Sequence, residues 1–234
     1  MVRRFVNEAD AIDFDDEEAV LADVAHALEM DPEELAIEEA GATSFRTGTV
    51  YSITIGGGMH GKEWEVVRDT DQARELAIAI VTQDLEQEPE IFNQSFIESH
   101  IDTKKLKDEL WSDVLNTRED DLRDMRDRDF WREWEREGFD EPEEDEDGDV
   151  PSPTDEQIEE LAERQAEDQL RDPMAYLEDI YGDDAAKEAI RIAGFDVEAA
   201  ADEAVSTDGE GHFLSGYDGQ THETDAGLVY WRVN

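Results

Sequence analysis

The stretch that decides the fold runs Thr49-Val50-Tyr51-Ser52-Ile53-Thr54-Ile55, then Gly56-Gly57-Gly58-Met59-His60-Gly61, then Lys62-Glu63-Trp64-Glu65-Val66-Val67. Both arms alternate in polarity and are rich in β-branched and aromatic residues, which predicts two strands. The glycines between them predict a hairpin with a long loop. They also invite a phosphate-binding reading, because backbone N–H groups cradle anions. A nucleotide-hydrolase loop needs Lys followed by Ser or Thr, and here Glu63 follows Lys62. A dinucleotide loop needs a helix after its glycines, and here a strand follows. The hairpin turn is therefore preferred.

Outward from the hairpin, apolar residues recur at helical spacing. Val20, Leu21, Val24 and Leu28 predict a helix over 16–30, with His26 beside its apolar face. Asp31, Pro32 and Glu34 have the spacing of a helix start, so a second helix is predicted through Leu35 and Ile37 to Gly41. Asp69 or Thr70 caps a helix to about Glu88, carried by Ala73, Leu76, Ala77, Ile80, Val81 and Leu85. Ile91, Phe92, Phe96, Ile97 and Ile101 carry another. One long helix or two cover 103–137, where Arg and Asp alternate and pair at three- and four-residue spacing. Helices resume at Thr154 or Asp155, at Asp172-Pro173, at Asp183 and at Asp196. The tail from Asp208, ending Leu228-Val229-Tyr230-Trp231-Arg232-Val233, is predicted as strands.

The expected class is α+β: mainly helical, with a small antiparallel sheet formed by the 49–67 hairpin and the C-terminal strands. Between Asp140 and Asp149, eight of ten residues are acidic, and Pro151-Ser152-Pro153 follows. That divides the chain into an N-terminal α+β region (1–139), an acidic linker or loop (140–153), and helices plus C-terminal strands (154–234) packed on the first region.

The net charge is −47, from 67 acidic and 20 basic residues, and only five of the basic ones are Lys. Acidity with Arg in excess of Lys is the pattern expected of an extreme halophile. Screening lengths fall from roughly 10 Å at 0.1 M salt to roughly 3 Å at 1 M. Self-repulsion that opposes folding in dilute buffer is thus nearly removed in molar salt, while carboxylates keep the surface hydrated. Such charge argues against binding to nucleic-acid phosphates or anionic membranes. No apolar run approaches a membrane span, and the start has no apolar stretch of a secretory signal, so a cytoplasmic location is expected. The absence of Cys excludes disulfides, thiolate catalysis and Fe–S clusters.

Candidate sites are few. In the run from Glu143 to Gly148 the glycine is sixth, as in a helix–loop–helix calcium site, but Glu143 and Thr154 are wrong at positions one and twelve. His212, Asp218 and His222, with Glu223, are the side chains that would meet around a metal; a surface role is the alternative. No cofactor motif and no catalytic residue emerges. Phe130, Trp131 and Trp134 lie within five residues, a density expected to exceed one helix face. Some of these aromatics are then expected to pack on the second half of the protein as core, with a partner surface as the alternative.

The tail reads Gly211-His212-Phe213-Leu214-Ser215-Gly216-Tyr217-Asp218-Gly219 and closes Tyr230-Trp231-Arg232-Val233-Asn234. It resembles the C-terminal end of small uncharacterised proteins of tailed phages and prophages, here in a haloarchaeal-type acidic version. The segment Glu88–Ile97 resembles the same proteins. The resemblance implies a viral or proviral origin and no particular activity. The tail glycines allow either a ligand pocket or a tight end to the fold. Three functions are expected to compete: a non-enzymatic accessory protein binding a protein partner in a high-salt cytoplasm, an acidic DNA mimic that inhibits a nucleic-acid enzyme, and a ligand- or metal-binding protein using the glycine-rich tail.

Overall fold

A computed structural model describes residues 12–39, 48–55, 61–140 and 150–234. The glycine loop 56–60 and the acidic run 141–149 lie outside the described residues, and so do the phosphate and calcium readings placed on them. The chain forms two compact units, one from 1–87 with 197–234 and one from 88–196. The acidic stretch 140–153 falls within the second.

The first unit holds the sheet. Its strands are β1 (Leu35–Glu39), β2 (Tyr51–Ile55), β3 (Lys62–Val67), β4 (Thr221–Glu223) and β5 (Val229–Arg232). Their order is β1-β2-β3-β5-β4, and every pair is antiparallel. The hairpin and the C-terminal strands therefore share one sheet, joined where Val66 faces Tyr230 and Glu65 faces Trp231. On one face Tyr51, Ile53, Val66 and Tyr230 pack with Val20, Val24 and Ala25 of helix α1 (Glu17–Ala27). Side chains alternate across a strand, so Ser52, Glu65 and Trp231 share the other face.

Two expectations for this unit are corrected. Asp31 caps only a single 3-10 turn, Pro32–Glu34, and the chain then enters β1. Leu35 and Ile37 are two residues apart, a strand spacing, and pairing with Ile55 and Ile53 outweighs the helix-start signal. The tail is not strand throughout. After helix α2 (Thr70–Gln87) the chain returns to this unit as α9 (Val197–Asp208), and α10 (Glu210–Leu214) precedes β4. Asp69 is the cap of α2, accepting from the Gln72 N–H at 2.8 Å.

The second unit is helical: α3 (Gln94–His100), α4 (Thr103–Arg123), α5 (Asp127–Arg136), α6 (Asp155–Gln169), α7 (Pro173–Tyr181) and α8 (Ala185–Ala193). The helix expected from Ile91 starts only at Gln94, because the Asn93 carboxamide caps Phe96 N–H at 2.8 Å and Ile91 ends a 3-10 turn, Pro89–Ile91. Helix α6 starts on a capping box between Thr154 and Gln157.

Phe130, Trp131 and Trp134 form a core with Leu122, Ile158, Leu161 and Ala162. All three aromatics are buried, contrary to the expectation that one helix face could not hold them. Positions i, i+1 and i+4 span only about 100° of a helix, so one broad face suffices. The indole N–H of Trp131 donates to Pro151 O at 2.7 Å, and that of Trp134 to Asp140 O at 2.9 Å. Both ends of the acidic stretch are thereby tied to α5.

Candidate functional site

Phe130, Trp131 and Trp134 are covered by the chain's own residues. His212 is exposed, edge-on to Phe213 at 4.8 Å between ring centroids. His222 packs against Tyr230 at 5.3 Å. Asp218 accepts from the Ser215 hydroxyl at 3.0 Å and the Gln220 N–H at 3.1 Å. The Ser215 hydroxyl holds the Asp218 carboxyl below its ordinary range, and the Gln220 N–H and the His222 charge add less. Among the described residues no group of three His, Asp or Glu is placed to hold a metal ion.

The tail glycines serve close packing. A Cβ on Gly211 would lie 2.6 Å from Gly219 O, and one on Gly216 would lie 2.3 Å from Val233 O. Backbone fills the space that a pocket would need there.

Two cavities of the second unit differ in character. One, of about 680 Å³, is lined by Arg118, Asp121, Met125, Arg136 and Gln169 among others. Its cations are already engaged. Arg118 donates to Gln169 Oε1 from Nε at 2.9 Å and from Nη2 at 2.7 Å, and Arg136 pairs with Glu133. A ligand would have to displace these partners.

The other cavity, of about 390 Å³, lies among the 3-10 turn Pro89–Ile91, the end of α7 and the start of α8. Local sequence places each wall. Pro89 fixes the turn, and Phe92 leaves it in extended conformation. Asp172 caps α7 by accepting from Ala175 N–H at 3.0 Å, with Pro173 in the first turn. Gly182 ends α7 at φ +56°, a conformation that disfavours a side chain. The chain then makes a 3-10 turn, Gly182–Asp184, into α8. Lys187 Nζ reaches Glu90 at 2.9 Å and ties α8 to the first turn. That contact holds the Glu90 carboxyl below its ordinary range and raises the Lys187 ammonium.

Phe92, Met174, Ala185 and Ala186 give the cavity an apolar floor, and Glu90, Glu178 and Asp183 give it acidic edges. Among the described residues, Glu178 and Asp183 form no ion pair. The second unit also exposes Ile91, Ile180 and Tyr181, at 59%, 53% and 46%. Each lies within two residues of a cavity-lining side chain. The remaining exposed large hydrophobic among the described residues, Tyr217, is covered by the Arg232 guanidinium 3.5 Å from its ring centroid. Among the described residues, no guanidinium stacks on Tyr181 as one does on Tyr217.

Sequence reading missed this cleft because its walls are 80 residues apart in the chain. One local signal was available: Ile180-Tyr181, a large apolar pair directly before Gly182-Asp183-Asp184 at a helix end. Among the described residues, no helix is long and apolar enough to cross a membrane. Comparison with known proteins finds no family model, curated protein or solved structure that matches the chain.

Proposed function

We propose that this chain is a non-enzymatic accessory protein of viral or proviral origin that binds another protein in a high-salt cytoplasm, through a surface that includes the exposed Ile180 and Tyr181. The observation that carries the reading is the exposure of Ile91, Ile180 and Tyr181, large apolar side chains of the second unit, on a chain of net charge −47. Exposed large apolar residues against a charged background mark interaction surfaces, and aromatic residues are enriched in protein–protein interfaces. The resemblance of the tail to phage and prophage proteins supports the origin. The acidity, the scarcity of Lys and the absence of Cys support the compartment.

The test is capture from a lysate of the source cells at about 2 M KCl, where nonspecific charge attraction is screened. Wild-type protein and the double variant Ile180→Ser/Tyr181→Ser are compared. The variant is expected to lose the captured partner while keeping its circular dichroism spectrum. Equal capture by both, or no partner in either, rejects the reading.

A further inference from the structure

We draw no further inference here: the strongest candidate, the cavity of about 550 Å³ at the start of α5 lined by Arg126, Arg128 and Arg132, carries nothing because the Asp129 carboxylate already pairs with Arg126 and Arg132 and nothing in the structure shows what else would bind there.

Discussion

Glu65 is a residue whose chemistry is altered by its surroundings. It lies on β3 between Ser52 of β2 and Trp231 of β5. Burial pushes its carboxyl above the ordinary value of 4.5. The Trp231 indole N–H, buried without an acceptor in hydrogen-bonding geometry, offsets part of that push by proximity, and the charge of Glu63 adds to it. Glu63 itself accepts from the Ser52 hydroxyl at 3.0 Å. The consequence for stability follows from linkage. The folded state holds the Glu65 proton more tightly than the unfolded chain does. Its contribution is complete below the unfolded value and is lost as pH rises through the folded one. Glu65→Gln is therefore expected to gain stability relative to wild type as pH rises from about 4 towards neutrality. Guanidinium unfolding at several pH values checks this, with the exposed Glu160→Gln as a charge-matched control. A Glu65→Gln difference no larger than the control's would show that burial at this site does not govern its titration.

At the scale of elements, α10 shows sterics overriding propensity. Helix interiors favour Ala over Gly by about 1 kcal/mol, so Gly211 in α10 looks like a defect. It faces β4 so closely that a Cβ would lie 2.6 Å from Gly219 O and 2.7 Å from Thr221 N. Backbone cannot swing aside as a flexible side chain does. Overpacking costs about 1–3 kcal/mol, which exceeds the propensity gain, so Gly211→Ala is expected to destabilise. Equilibrium unfolding measures the sign, and a stabilised variant would mean that α10 stands clear of the strand. Gly-rich spacing in the tail was legible in the sequence, but its purpose was not. A pocket and a close backbone contact need the same residue, and only the distance to Gly219 separates them. The elements were most legible where one periodicity dominated, as in α1, α2 and the two hairpin arms. They were misread at Leu35–Glu39, where a capping signal and a two-residue spacing competed and the partner strand decided.

For the whole molecule, charge sets the conditions under which these elements hold together. Arg123, Arg132, Arg136, Arg171 and Arg191 each pair with a carboxylate three or four positions away. Exposed pairs of this kind contribute about 0.2–0.5 kcal/mol each, too little to offset the repulsion of 67 acidic side chains. Raising KCl from about 0.1 M to about 2 M is expected to stabilise the fold by screening that repulsion. A gain of about 3 kcal/mol raises the thermal midpoint by about 6–12 °C for a chain of this size. A thermal scan across the salt series checks it, and an unchanged or falling midpoint removes the halophilic interpretation of the acidity.

The sequence by itself determined the class, the helices with a clear apolar face, the hairpin and the chemistry that Cys would have supplied. These follow from local periodicity and composition, which need no knowledge of what lies far away in the chain. Only the tertiary structure decided that the Gly182 end of α7 meets the turn at Pro89, that Phe130, Trp131 and Trp134 share one buried face, and that the tail glycines press against backbone. Each of these depends on which remote surfaces come into contact. The cavity between the turn at Pro89 and the α7–α8 junction is of this kind, because its walls come together only when the chain folds.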